Sequence, residues 1–159
     1  MRKLQVHRLR WPMLALTVVL ASTVIAKESG LRVNVTGSLP DVFYRTSNTH
    51  AAGEYVQFCS PISTAALPDG GDCLDGKLPL LKKVVAVGGD RVDVDAHGVR
   101  INGVQLPDSA PKRLGRDGTL LPSAAGKWVL DSGQVWVAGE HPDSFDSRYF
   151  GPIDAELGV

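Results

Sequence analysis

Lys82-Lys83-Val84-Val85-Ala86-Val87-Gly88-Gly89-Asp90-Arg91-Val92-Asp93-Val94-Asp95 reads as two strands joined by a glycine turn. Residues 82–87 form a nearly continuous apolar run after their lysines, as fits a strand buried on both faces. Residues 91–95 alternate apolar and polar, the period-2 signature of a half-buried strand. Downstream, Ala96-His97-Gly98 turns the chain and Val99-Arg100-Ile101 alternates again. Asn102-Gly103 is a strong hairpin signal leading to Val104 and Leu106. Residues 128–130 and 134–138 read as a second hairpin around Asp131-Ser132-Gly133, and 54–58 as one more short strand. Residues 107–127, rich in Pro, Gly, Lys and Arg, read as a long surface excursion. No segment after Ala26 reads as a helix. The expected body is therefore mostly β, built of coiled sheets, behind one hydrophobic N-terminal helix.

Composition agrees. The 159 residues are 43% hydrophobic, enough for one domain with a real core plus a short extra element. Seventeen glycines and ten prolines favour a turn-rich β protein over a helical bundle. Seventeen basic residues balance seventeen acidic ones, so nothing global asks for nucleic acid. The one basic cluster is local: Arg2, Lys3, His7, Arg8 and Arg10 precede an uncharged stretch over residues 11–26. That stretch is short beside the roughly 20 apolar residues of a spanning helix, and ordinary for a signal-peptide core. Basic residues before it and few after it predict a cytoplasmic segment 1–10, a signal-anchor or signal peptide 11–26, and an exported domain 27–159. Val24-Ile25-Ala26 could serve as a cleavage site.

Cys59 and Cys73 are the only cysteines, separated by a Pro/Gly/Asp-rich stretch. In an oxidising compartment they can pair and close a surface loop, worth about 3 kcal/mol for a loop of that size. The other readings are two buried thiols, or half a metal site that lacks a nearby histidine or third cysteine. No metal or cofactor is expected. Asp93, Asp95 and His97 read as the solvated face of a hairpin.

Two segments carry candidate chemistry. Thr36-Gly37-Ser38-Leu39-Pro40 offers a serine beside a glycine, where backbone can approach a substrate closely. Taken alone, Ser38 is a turn residue. Lys82 stands at the head of the apolar run. A lysine has a pKa near 10.4, whereas a general base works best near 7–8, a shift worth roughly 4 kcal/mol. Desolvation by the 84–87 strand could supply it. Against this stands the plainer reading of Lys82 and Lys83 as an exposed pair at a strand end. Other nucleophiles fare worse. No Gly-x-Ser-x-Gly elbow exists. Ser109-Ala110-Pro111-Lys112 matches Ser-x-x-Lys, but that pattern needs a helix, which Pro111 and Gly115 break. His141 reads as a loop residue.

With those boxes, the chain resembles the bacterial type I signal peptidases, whose serine box is Ser-Met-x-Pro-Thr and whose lysine box is Lys-Arg-Val-x-x-x-Pro-Gly-Asp. Here the boxes read Ser38-Leu39-Pro40 and Lys82-Lys83-Val84-Val85-Ala86-Val87-Gly88-Gly89-Asp90. The hairpin over 90–103 matches the segment next to the lysine box in that family. Gly139-Glu140-His141-Pro142-Asp143-Ser144-Phe145-Asp146-Ser147-Arg148-Tyr149-Phe150-Gly151-Pro152 is similar to its closing box, Gly-Asp-Asn … Ser-x-Asp-Ser-Arg-x-x-Gly. The resemblance runs in order over residues 11–153. Departures are the missing methionine, the proline two places after Ser38 rather than three, Gly88 in place of proline, and a closing box one residue shorter before Ser144. With the small size and the 59–73 loop, these look like the TraF-type conjugative-transfer branch.

The resemblance implies a coiled antiparallel β-sheet domain and a serine–lysine dyad. Ser38 would be the nucleophile and Lys82 its base. The Ser38 N–H and the Thr36 hydroxyl would hold the oxyanion, and Ser144 would orient Lys82. Asp146 and Arg148 would form an ion pair fixing the closing loop; as a surface pair it would be worth under about 1 kcal/mol. The implied substrate is an exported precursor cut beside small residues, pilin-like or another conjugation protein. The implied location is the inner membrane with a periplasmic domain, or the periplasm if 11–26 is removed. A general housekeeping signal peptidase is the nearest alternative. A non-catalytic exported β domain acting as an adaptor is the alternative of another class.

Overall fold

The computed structural model describes residues 3–34 and 37–155. Helix α1 (Lys3–Glu28) comes first, followed by β1 (Leu31–Val33), β2 (Phe43–Arg45), β3 (Tyr55–Phe58), β4 (Leu80–Val87) and β5 (Arg91–Asp95). The chain continues through β6 (Gly98–Ile101), β7 (Val104–Gln105), β8 (Gly126–Val129), β9 (Gln134–Ala138), the single-turn helix α2 (Ser147–Phe150) and β10 (Ile153–Asp154). Among the described residues the strands form three antiparallel sheets: β1-β2, β10-β9-β4-β3 and β7-β6-β5-β8. The fold is mostly β, as expected.

β4 explains its own apolar run. Val84 pairs with Val137 and Ala86 with Trp136, and the register shifts between the two. Such a bulge puts an extra residue on one strand and reorients its side chains. Val84 and Val87 therefore pack with Val56, Phe58 and Leu80, while Val85 and Ala86 pack with Val92, Val99 and Trp136. One strand thus walls two cores, and plain alternation would have sent half of it to solvent. Each fully buried valine or leucine in these clusters contributes about 1.5–3 kcal/mol.

The Asn102-Gly103 hairpin forms as read, joining β6 to β7. Both residues have positive φ, 50° and 85°, which suits the twist of the flanking strands. Asn102 also ties the sheet corner: its Nδ2 donates to Asp90 Oδ1 at 2.8 Å and its Oδ1 accepts from Arg91 N at 3.0 Å.

Several elements differ from the reading. Helix α1 starts at Lys3, within the basic segment, and carries Pro12 inside it. A proline so placed removes one backbone donor of the helix. Apolar side chains from Trp11 to Ile25 are exposed along α1. Among the described residues no helix is long and apolar enough to cross a membrane. A second helix, α2, exists where none was expected. Asp146 caps it by accepting from Arg148 N, a local bond that a periodicity search cannot see. β1, β2 and β10 were also not foreseen. The excursion 107–127 contains a small antiparallel arm bridged at Leu114 and Leu120.

Candidate active site

The alternation of β4 separates the two lysines. Lys82 lies on the inward face between Leu80 and Val84 and is 2% exposed, paired across the ladder with Val56. Lys83 points the other way, toward Glu140 at 3.4 Å and over the Tyr55 ring at 5.9 Å. So the reading of an exposed pair at a strand end fails: Lys82 is buried, and Lys83 is half-buried within β4. Burial pushes the Lys82 ammonium down to about 8, with the Asp146 carboxylate opposing that shift and Arg148 reinforcing it.

Ser38 sits in the connection between β1 and β2 and is 7% exposed. Its loop is tied from inside and outside. Asn34 Nδ2 donates to Leu39 O at 2.9 Å, and Tyr44 Oη accepts from Asp41 N at 2.7 Å. Glu140 N donates to Ser38 O at 3.0 Å, joining this loop to the segment after β9. Thr36, the expected second oxyanion donor, lies outside the described residues.

That segment after β9 holds the third group. Ser144 is 3% exposed, its N donates to His141 O at 2.9 Å, and its Oγ has no hydrogen-bond partner among the described residues. A buried hydroxyl left without a partner is unusual and costly, so it points to a role. Gly139 makes the arrangement possible. A Cβ there would collide with the Ser144 side chain and come within 2.9 Å of Ser38 O. Gly139 was not singled out in the sequence; its signal was its place at the head of the closing box.

Asp146 and Arg148 are not a surface pair, which corrects the energetic expectation. Each is 1% exposed, and Arg148 meets Asp146 through Nε at 2.8 Å and Nη2 at 3.0 Å. Arg148 Nη1 also donates to Asp108 O at 3.1 Å and Pro142 O at 3.2 Å. Asp146 Oδ2 accepts from Gly139 N at 3.0 Å. Breaking such a desolvated pair costs about 3–5 kcal/mol, because the remaining charge stays buried. The pair fastens the closing loop to the excursion after β7 and to the end of β9.

The other candidates fall elsewhere. Ser109 Oγ is occupied with Leu106 O and Val99 N, while Lys112 pairs with Asp143. His141 lines the cleft, but its Nδ1 accepts from Asp143 N at 3.1 Å. Asp95 is engaged by Arg100 at 2.7 Å. Cys59 and Cys73 form a disulfide, S–S 2.07 Å.

Ser38, Lys82 and Ser144 line one cleft of about 350 Å³. Ala66, Leu67 and Pro68 from the disulfide-closed loop, Leu80 from β4 and Leu121 from the arm give it an apolar side. The loop and the arm carry no periodic pattern, so their part in the cleft was not legible. The cleft can bring a hydroxyl, a readily deprotonated amine and a dry wall to one extended peptide. Among the described residues no cluster of potential metal ligands is present.

Known proteins resemble this chain over most of its length. The family model "Signal peptidase, peptidase S26" matches residues 6–158. A plasmid transfer protein TraF of Escherichia coli is 38% identical over 136 residues, covering 79% of this chain and 76% of that protein. A conjugal transfer protein TraF of Agrobacterium tumefaciens (strain 15955) is 34% identical over 151 residues, covering 87% of this chain and 84% of that protein. A solved signal peptidase I of Enterococcus faecalis V583 superposes with a TM-score of 0.40 at 21% identity, over 69% of this chain and 94% of that one. The chain belongs to the signal peptidase S26 family.

Proposed function

We propose that this chain is a serine endopeptidase that removes leader peptides from exported precursors through a Ser38–Lys82 dyad. The observation that carries the reading is a lysine almost fully buried, its pKa brought down to about 8, on the wall of the cleft that holds Ser38. At neutral pH a useful fraction of such an amine is unprotonated. Ser38 Oγ attacks the scissile carbonyl carbon while Lys82 Nζ takes the hydroxyl proton. The oxyanion is held by the Ser38 N–H and the Thr36 hydroxyl. As the C–N bond breaks, Lys82 hands the proton to the leaving amine, and Ser38 is left as an ester. Water then attacks that ester, Lys82 takes its proton, and the proton returns to Ser38 Oγ as the acid leaves. Ser144 lines the same cleft and, although its Oγ makes no hydrogen bond to Lys82 or to any other described residue, it is the group assigned to orient Lys82. The Asp146–Arg148 pair holds the closing loop.

Relatives named for plasmid and conjugal transfer support an exported precursor of the conjugation apparatus as the substrate, pilin-like or another conjugation protein. The apolar side chains exposed all round α1 support an inner-membrane anchor or signal over 11–26, with residues 27–159 on the periplasmic side. The disulfide fits that oxidising side.

The test is cleavage of such a precursor by the full chain and its variants. Ser38→Ala and Lys82→Ala each abolish cleavage while leaving the disulfide and a cooperative melt in place. Cleavage that survives either substitution overturns the dyad.

A further inference from the structure

The disulfide-closed loop between Cys59 and Cys73 has no regular structure, yet it supplies one wall of the cleft. Three consecutive residues near its middle, Ala66, Leu67 and Pro68, line the cavity that Ser38 and Lys82 share. A loop of this kind would ordinarily be the softest part of a domain. Here it is fastened at several points. Cys59 follows β3 directly and is bonded to Cys73, with Cα atoms 5.6 Å apart. Leu67 is 4% exposed and packs into the core with Val56, Phe58 and Leu80. Leu78 N donates to Pro68 O at 2.9 Å, and Lys77 Nζ meets Asp69 at 2.7 Å. Turns inside the loop are closed by Thr64, whose O accepts from Leu67 N at 3.2 Å.

Leu67 therefore belongs both to the core and to the cleft. Its neighbour in that core, Leu80, is also a cleft residue and stands two places before Lys82 on the same face of β4. Leu67 and Leu80 thus stand together on the cleft wall that also holds Lys82. We propose that the Cys59–Cys73 loop is the size gauge of this cleft, with Leu67 and Ala66 as specificity-determining residues and the disulfide as the bond that keeps the gauge rigid. This deepens the peptidase reading and rests on it for the identity of the ligand, an extended peptide. A rigid apolar wall discriminates by about 10- to 200-fold per methylene, whereas a wall that yields discriminates little. Ala66, only half-buried, is the position where added bulk narrows the cleft without entering the core.

The experiment measures binding rather than turnover. The full chain carrying Ser38→Ala is titrated with labelled leader peptides that differ only in the residue before the cut, alanine or leucine. The oxidised protein is expected to prefer the alanine peptide by roughly tenfold or more. Adding Leu67→Ala brings the two affinities to within about threefold, and adding Ala66→Leu weakens the alanine peptide by roughly tenfold. Reduction of the disulfide moves the ratio in the same direction as Leu67→Ala. Thiol titration and a cooperative melt verify that each variant is folded and that its disulfide is intact or reduced as intended. Ala66→Leu keeps the test open if Leu67→Ala does not fold. An unchanged ratio in the folded variants overturns the proposal, as does failure of the oxidised protein to bind either peptide. The two readings fail separately. Cleavage that needs Ser38 and Lys82 with an unmoved ratio removes the gauge alone, and a moved ratio with cleavage independent of the dyad removes the mechanism alone.

Discussion

Lys82 keeps its ammonium in a place that disfavours it, and that has a consequence for stability. Its folded pKa, about 8, lies below the ordinary lysine value of 10.5. Between those values the unfolded chain binds more protons than the folded one, so stability rises with pH across that window. Below pH 8 the cost of burying the charge is present in full, at roughly 3 kcal/mol for a shift of this size. Lys82→Met should thus stabilise the protein at pH 6–7 by a few kcal/mol, with the gain shrinking toward pH 10, as read by urea denaturation across pH. Equal gains at every pH would contradict it. In the proposed dyad Ser144 positions the base and makes no binding contact, so Ser144→Ala should lower kcat by roughly tenfold to hundredfold with KM little changed. Its melting temperature should rise rather than fall, because the substitution removes a buried hydroxyl that has no partner among the described residues. Taken alone, Ser38 and Lys82 read as a turn residue and a surface lysine; only the order of the three boxes singled them out, and the structure sets both on one cleft. The sequence could not say which of Lys82 and Lys83 turns inward; that depends on strand register, and a shift of one residue reverses it.

At the scale of elements, the loops after β1 and after β9 meet at one glycine. Gly139→Ala should push Ser144 and the Ser38 carbonyl apart, costing about 1–3 kcal/mol of stability. It should also reduce activity more than that loss of fold alone explains. Circular dichroism melts and kcat on the same samples separate the two effects, and full activity in a folded Gly139→Ala variant would contradict the account. Strands β4 to β6 and β9 were readable because alternation and the Asn102-Gly103 turn are local signals, but 128–130 and 134–138 do not form the hairpin read for them: β8 pairs with β5, and β9 with β4 and β10. β1 and β2 were not, since each is three residues long with mostly exposed side chains. Nor was α2, a single turn whose cap and ion pair come from Asp146 and whose partners lie in distant loops.

At the scale of the molecule, two cores share β4, and the cleft opens where the inward face of that strand meets four irregular segments. Reducing the Cys59–Cys73 bond should lower global stability by about 3 kcal/mol, measured by denaturant unfolding with and without reductant. A loss near zero would mean the loop is held by Leu67 and its hydrogen bonds alone. The mostly β architecture was legible as a whole, whereas the course of 107–127 was not, because Arg148 and Asp143 fasten it from the far end of the chain. The central claim is that a buried neutral lysine activates Ser38. Its most direct measurement is the rate at which a serine-acylating reagent adds to the full chain, followed by intact mass from pH 6 to pH 10. The account predicts a single rise with an apparent pKa of about 8, with the adduct on Ser38 and the rise lost in Lys82→Met. A rate independent of pH, or one that Lys82→Met leaves unchanged, would contradict it.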